Sequence, residues 1–116
     1  MGFKFFLISL ISLFLTGCFT LKSEDKKDAE STGLSYDDVF QTILSPRCVG
    51  CHSSGSASGG VALDSYNSVV MYVVAGNPEF SLLYEVVSTN RMPKTGSPLS
   101  AEDVAMIRNW ILLGAP

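Results

Sequence analysis

The chain has 116 residues, a formal net charge of -3 at pH 7 and a hydrophobic content of 47%. This length suits one small domain rather than several. The 8 basic residues are outnumbered by 11 acidic ones and form no basic patch, so we expect no nucleic-acid partner.

The N-terminus has the pattern of a secretory signal. Lys4 precedes a mainly apolar run over residues 5–15, which is shorter than the roughly 20 residues that a spanning helix needs. The run ends at Leu15-Thr16-Gly17-Cys18, which resembles the bacterial lipobox, where the cysteine is acylated and becomes the first mature residue. We therefore predict a lipoprotein signal peptide over residues 1–17 and lipidation at Cys18. An uncleaved membrane anchor is the alternative.

A polar stretch of mixed charge follows the lipobox. It contains too few apolar residues to fold, so we predict that residues 18–33 are the acylated cysteine and a flexible tether. The globular domain then covers residues 34–116, secreted across the inner membrane and outside the reducing cytosol. Phe19 follows the cysteine where an aspartate would direct inner-membrane retention. By analogy with enterobacterial sorting, this favours the outer membrane, with the domain facing the periplasm or the cell surface.

A short first helix is predicted at the start of this domain. Residues 35–38 have the form of a capping box, with Asp in place of the usual Glu. The apolar residues that recur at helical spacing are Tyr36, Val39, Phe40, Ile43 and Leu44. Pro46 is expected to stop this helix just before Cys48.

The next five residues, Cys48-Val49-Gly50-Cys51-His52, have the spacing for covalent attachment of a c-type haem, with His52 as an iron ligand. Taken alone, the pentapeptide also permits a zinc site, a redox dithiol or a plain disulfide. Zinc would need a fourth ligand such as Asp64, because the chain has no other histidine and its third cysteine is Cys18. A thioredoxin-like dithiol would need a βαβ pattern, which this sequence lacks.

The remaining elements are predicted to be mostly helical. Residues 53–60 read as a flexible loop, and residues 66–74 are ambiguous but favour a helix. Asn77-Pro78-Glu79 predicts the start of another helix, with an apolar stripe formed by Phe80, Leu83, Tyr84 and Val87. After a loop over residues 88–97, a second capping box over residues 100–103 begins the last helix. Its buried face is predicted to be Val104, Ile107, Trp110 and Ile111, and Gly114 and Pro116 end it.

Met92 is the candidate for a second iron ligand. His52 is the single histidine, so ligation by two histidines of one subunit is excluded, and a His/Met pair is common in c-type cytochromes. Met92 lies in a predicted loop and precedes Pro93. Met71 and Met106 lie in predicted helices, where methionine more often fills the core.

Several further segments carry a resemblance to a known family. These segments are Gly59-Gly60-Val61-Ala62-Leu63-Asp64, Gly76-Asn77-Pro78-Glu79-Phe80-Ser81-Leu82-Leu83, Met92-Pro93, Trp110-Ile111 and Gly114-Ala115-Pro116. With the Cys-x-x-Cys-His motif they resemble small monohaem c-type cytochromes, in particular the planctomycete-type cytochrome c-like domain. The resemblance covers residues 36–116 and implies an all-α domain packed around one covalent haem c. The chain departs from many cytochromes c in having no proline between Gly50 and Asn77, so the acceptor for the His52 Nδ1–H is expected to be a backbone carbonyl within residues 53–61.

The expected function is electron transfer by a membrane-tethered cytochrome with a redox protein as partner. Cys48 and Cys51 would attach the haem, and His52 and Met92 would bind its iron. We expect no enzymatic activity, because no second haem and no acid/base pair is identifiable. The alternatives are a haem-based sensor or binder of small ligands with five-coordinate iron, and an interaction domain that uses haem only as a core staple.

Three finer expectations concern the surroundings of the haem. One haem face is expected to be buried by Phe40, Ile43, Trp110 and Ile111. Arg91, which adjoins Met92, is expected to be the best candidate for bonding the haem propionates, ahead of the tyrosines Tyr36, Tyr66, Tyr72 and Tyr84. The small side chains of residues 53–60 would allow close approach of a redox partner, although a plain surface loop would look the same.

Overall fold

A computed structural model describes residues 33–116 of the chain. The predicted signal peptide, the lipidation site at Cys18 and nearly all of the tether lie outside the described residues. Within residues 33–116, no helix has both the length and the apolar character needed to cross a bilayer.

Helix α1 is the first element, and it runs through three continuous segments. They are α-helical Tyr36–Val39, π-helical Phe40–Leu44 and α-helical Ser45–Arg47. The predicted capping box is confirmed: Ser35 Oγ accepts from the Asp38 N–H, and the Asp38 carboxylate accepts from the Ser35 N–H. The helix ends at Arg47, just before Cys48 as predicted, but Pro46 lies inside its last turn and does not end it. The π-helical turn ahead of Pro46, where the Ser45 N–H bonds to the Phe40 carbonyl, accommodates a residue that has no N–H to donate.

Short elements connect α1 to the last helix. In chain order they are an antiparallel hairpin of β1 His52–Ser53 and β2 Ser56–Ala57, a 3-10 turn Ser58–Gly60, helix α2 Tyr66–Val69 with a 3-10 turn Val70–Tyr72, a 3-10 turn Pro78–Phe80, helix α3 Leu82–Ser88 and helix α4 Ala101–Leu112. The described domain is therefore mostly helical, as predicted. The hairpin was not predicted, because its Ser- and Gly-rich sequence has no alternating apolar pattern.

Two of the predicted helices are shorter than expected. Residues 66–74 are helical only at first, and Val73 is already extended. The predicted helix start at Asn77 gives a single 3-10 turn, and the Asn77 side chain does not cap it. Ser81 is extended, and α3 begins only at Leu82, which leaves Phe80 outside the apolar stripe with 77% of its surface exposed.

The core lies where α1 and α3 pack against α4. Its buried apolar residues are Val39, Ile43, Leu44, Leu63, Val69, Leu83, Val87, Leu99, Ile107, Trp110, Ile111 and Ala115. Val104, predicted to be buried, is only half-buried. Ser100 caps α4 by accepting from the Asp103 N–H, and Gly114 ends it at a φ of +97°, a conformation that glycine adopts without steric cost.

Hydrogen bonds connect Ala115 and Pro116 to residues of helices α1, α2 and α4. The Pro116 carbonyl accepts from the Tyr36 N–H at 2.8 Å and from the Trp110 indole N–H at 2.9 Å. The Tyr66 hydroxyl donates to the Ala115 carbonyl at 3.0 Å. These bonds hold the start of α1 against the end of α4 and so fix the direction in which α1 leads into the cysteine pair.

Candidate functional site

The cysteine pair lies on a helical turn that continues α1. The Cys48 N–H bonds to the Leu44 carbonyl at 2.9 Å, and the His52 N–H bonds to the Cys48 carbonyl at 2.9 Å. The Cys48 side chain is half-buried and Cys51 is exposed, and both are free thiols rather than a disulfide. Burial raises the pKa of the Cys48 thiol, an effect that the neighbouring Arg47 partly opposes.

The His52 ring is oriented by a backbone carbonyl, as predicted. His52 Nδ1 lies 3.2 Å from the Val61 carbonyl oxygen, which belongs to the expected range of residues. Because a carbonyl only accepts, this contact places the proton on Nδ1 and leaves the lone pair on Nε2. The preceding Gly60 has a φ of +77°, which a side chain would strain, and this bend returns the chain towards the histidine.

Asp64 holds the hairpin that separates His52 from Val61. Its Oδ2 atom accepts from the Ser54 backbone N–H and from the Ser54 hydroxyl, both at 2.7 Å. These two bonds lower the pKa of Asp64, since both favour its charged form. The Leu63 N–H also bonds to the His52 carbonyl, at 2.6 Å. Asp64 is thus a structural residue of this loop.

This arrangement disfavours the zinc alternative. Within the described part of the chain, no group of three or more His, Cys, Asp or Glu side chains is placed to hold a metal ion. Asp64 is the only fourth ligand that the sequence suggested, and its Oδ2 atom already accepts two hydrogen bonds from Ser54. The donors that remain are two thiols and one imidazole, too few for a closed zinc site.

Met92 lies in the same region of the structure, although it belongs to a loop much later in the sequence. It lies in the loop after α3, where its N–H bonds to the Val86 carbonyl at 2.9 Å, and its side chain is half-buried. The other candidate methionines point elsewhere. Met71 is 78% exposed rather than buried, and Met106 packs against the core.

One cavity of about 350 Å³ brings the predicted residues together: Cys48, Cys51, His52 and Met92 all line it. Such a volume lies within the range of roughly 300–1,000 Å³ that is typical of sites for small molecules and cofactors. The cavity is mainly apolar. Its apolar wall consists of Val61, Leu63, Tyr72, Leu82, Leu83, Val86, Val87 and Pro93.

The predicted apolar wall was wrong. Ile43, Trp110 and Ile111 are fully buried in the core between the helices, and neither they nor Phe40 line the cavity. The wall comes instead from α3 and from the segments before it. The stripe Leu83 and Val87 was identified from the sequence, but only as core. Helix α3 also presents Leu82 and Val86 to the cavity. The sequence did contain a signal for this wall, because a helix this short with two apolar faces has more apolar surface than one core contact needs.

The charged residues at the cavity also differ from the prediction. Arg91 forms an ion pair with Glu85, with Arg91 Nη1 lying 2.7 Å from Glu85 Oε1, and it does not line the cavity. Arg47 and Lys94 do line it, together with Ser58 and Thr95. Among the tyrosines, only Tyr72 is part of the lining. No sequence pattern favours Arg47, because none shows that the end of α1 and the Met92 loop meet.

Comparison with known families agrees with this geometry. Residues 48–96 match the family model described as Planctomycete cytochrome C. This match supports a cytochrome c-like domain in the chain. The matched stretch begins at the first cysteine of the pair and extends beyond Met92, so it includes all four predicted cofactor-binding residues. No curated protein and no solved structure gives a significant match to the chain.

A cytochrome c domain implies haem as the cofactor and electron transfer as the general function. The described residues fit such a group by their chemistry. They offer two thiols for covalent attachment, an imidazole with a free Nε2, a thioether and an apolar cavity between them.

Proposed function

We propose that the protein is a membrane-tethered monohaem cytochrome c that transfers electrons and has no enzymatic activity of its own. The observation that carries this proposal is the meeting of Cys48, Cys51, His52 and Met92 around one apolar cavity. The thiols of Cys48 and Cys51 would hold the haem covalently. The haem supplies a one-electron change between ferrous and ferric iron when it is bound.

His52 would be one ligand of the haem iron. The Val61 carbonyl fixes its tautomer, so that Nε2 is the nitrogen available to a metal. The same hydrogen bond makes the imidazole a stronger donor. The hairpin and Asp64 hold both partners of this bond, so the ring orientation is set before any metal is bound.

Met92 would be the second ligand of the haem iron. Its backbone is anchored to Val86, so the thioether is presented by a loop whose position is fixed. With both side chains bound to the iron, the haem would offer no open position to a substrate. A thioether ligand also favours the ferrous form relative to ligation by two histidines. Both consequences support electron transfer over the sensing of small ligands.

The test is the absorption spectrum of the protein produced with a cytochrome c maturation system. We expect a c-type α-band in the wild type and its loss in C48S C51S, where covalent attachment is impossible. We expect M92A to keep the α-band, to lose the charge-transfer band between thioether and ferric iron, and to bind carbon monoxide readily in the reduced state. A wild-type protein without a c-type α-band contradicts the proposal. A reduced wild type that binds carbon monoxide readily favours the five-coordinate sensor instead.

We also propose that Cys18 is acylated and that residues 18–33 tether the domain to the outer membrane, where it meets a redox partner protein. The lipobox-like sequence and the polar tether support this. Membrane fractionation should recover the wild type with the membranes and C18S in the soluble fraction, with the same α-band in both. If C18S stayed with the membranes like the wild type, the lipid anchor would be contradicted, but the assignment of the haem would not be affected.

A further inference from the structure

The cations of the described domain fall into two pairs with different surroundings. Arg91 pairs with Glu85 at 2.7 Å, and Arg108 lies 4.0 Å from Glu79. Arg47 and Lys94, in contrast, form no ion pair with any carboxylate among residues 33–116. These two unpaired cations are also the two that line the cavity, and the lining contains no aspartate or glutamate.

The position of these cations gives the cavity two chemically different ends. Arg47 and Lys94 are exposed, so they lie at its mouth, whereas Leu63, Leu83 and Val87 are buried in its apolar wall. A ligand that fits both ends has a broad apolar body and an anionic edge. Because a carboxylate at the mouth would meet two positive charges and no negative one, its charged form is favoured there.

A hydrogen bond to the Met92 loop holds the Arg47 side chain in place. Its Nη2 donates to the Ser97 carbonyl, which lies in the same loop as Met92. A guanidinium has five N–H donors, so this bond leaves others free for an anion. Lys94 comes two residues after Met92 in that loop and carries three donors on a flexible stem.

We propose that Arg47 and Lys94 form a carboxylate-binding mouth that holds the propionates of the haem. This inference rests on the proposed function, and it assigns to these two residues the role that sequence reasoning gave to Arg91. Since both cations are exposed, each contact should be of the strength of an exposed ion pair and sensitive to salt.

The experiment uses the full-length holoprotein with R47Q, K94Q and the double variant R47Q K94Q. The matched controls are R91Q and R108Q, which remove the same charge from positions that do not line the cavity. The first readout is the midpoint potential at neutral pH and low ionic strength. Removing a positive charge beside the haem favours the ferric form, so the potential should fall. We expect each single variant to shift the ferric-to-ferrous equilibrium roughly two- to fivefold, with a smaller shift in high salt.

The second readout separates binding of the carboxylates from a general change of charge. Resonance Raman spectra contain a propionate bending band that responds to hydrogen bonds on the carboxylates. This band should shift in R47Q and K94Q and stay unchanged in R91Q and R108Q. The Lys94 side chain forms no hydrogen bond or ion pair within residues 33–116, so K94Q tests the idea even if R47Q loosens the Met92 loop.

The possible failures are distinguishable. A wild type that carries covalent haem, but whose propionate band and potential are the same in R47Q K94Q as in R91Q, overturns this inference and leaves the proposed function intact. A wild type without haem overturns both. Equal shifts in all four single variants would show a long-range charge effect and would also reject a specific mouth.

Discussion

The orientation of His52 depends on a contact that spans only nine residues of sequence. Its Nδ1 atom meets the Val61 carbonyl because the hairpin reverses the chain, and Asp64 fastens that reversal by binding Ser54 twice. Many cytochromes c use a proline carbonyl for this purpose. Here a Ser- and Gly-rich loop supplies the acceptor, and a carboxylate supplies the rigidity that proline would otherwise give.

This role of Asp64 predicts a pH dependence of stability. In the folded protein its pKa lies below the ordinary value of 3.8, which the unfolded chain retains. The stabilisation by Asp64 is therefore complete above about pH 4 and is lost as the pH falls through the folded-state pKa. D64N should lower the thermal unfolding midpoint near neutral pH, and this difference from the wild type should shrink in acid.

The matching control is E102Q, which removes one negative charge from an exposed position on α4. It should leave the midpoint nearly unchanged, since surface substitutions away from such contacts usually have small effects. Thermal unfolding of the holoprotein, followed by circular dichroism between about pH 3 and pH 7, provides the measurement across the range in which carboxyl groups titrate. A difference between D64N and the wild type that stays constant over this range would contradict the prediction.

At the scale of elements, the Ser81 side chain connects the start of α3 to the segment that precedes it. It is only 1% exposed, and its hydroxyl accepts from the Val74 N–H at 2.8 Å and donates to the Asn77 carbonyl at 2.8 Å. This single side chain connects the end of the segment that carries Tyr72 with the start of α3 at Leu82. Since Tyr72 and Leu82 both line the cavity, Ser81 joins two parts of its wall.

Replacing this hydroxyl should be costly. S81A leaves the Val74 N–H without its partner and removes the shorter of the two hydrogen bonds to the Asn77 carbonyl, which keeps only the Phe80 N–H at 3.3 Å. We expect a loss of about 1–3 kcal/mol in the free energy of unfolding. The control is S88A at the other end of α3, where an exposed hydroxyl donates to the Glu85 carbonyl at 3.2 Å; its effect should stay within about 0.5 kcal/mol. Chemical denaturation of the holoproteins measures both. If S81A and S88A lowered the free energy of unfolding by the same amount, the burial of the Ser81 hydroxyl would not contribute to stability.

The sequence predicted the elements that rest on local signals and missed those that rest on distant contacts. The capping box at Ser35 follows from a four-residue motif, and the attachment site follows from the spacing of its cysteines. Helical periodicity predicts the buried face of α4 except for Val104, which is only half-buried. The passage of α1 through Pro46 was not predictable, because the proline rule does not anticipate a π-helical turn. The apolar wall of the cavity was misjudged for another reason: periodicity shows that Trp110 is buried, but not that it is buried against helices rather than against a cofactor.

At the scale of the whole molecule, the domain divides into two parts with different dependence on the cofactor. The packing of Val39 and Ile43 of α1 with Trp110 and Ile111 of α4 forms a core that does not line the cavity. The other part consists of the hairpin loop, α3 and the Met92 loop. Its residues Leu63, Leu83 and Val87 are buried and join the same core, whereas Leu82 and Val86 line the cavity with part of their surface exposed. In a domain this small, a bound cofactor would bury that exposed apolar surface.

This division predicts how the protein responds to loss of the cofactor. In C48S C51S, produced without covalent haem, the apolar wall is left facing water, so α3 and the Met92 loop should open more often. Hydrogen exchange should become faster there by about tenfold or more, whereas the amides of α4 around Trp110 should keep most of their protection. Exchange followed by mass spectrometry gives both values in one experiment, and C18S, which retains the haem, should match the wild type throughout. Equal loss of protection in α3 and α4 would show that the domain unfolds as a single unit and that the core between α1 and α4 cannot persist without the cofactor.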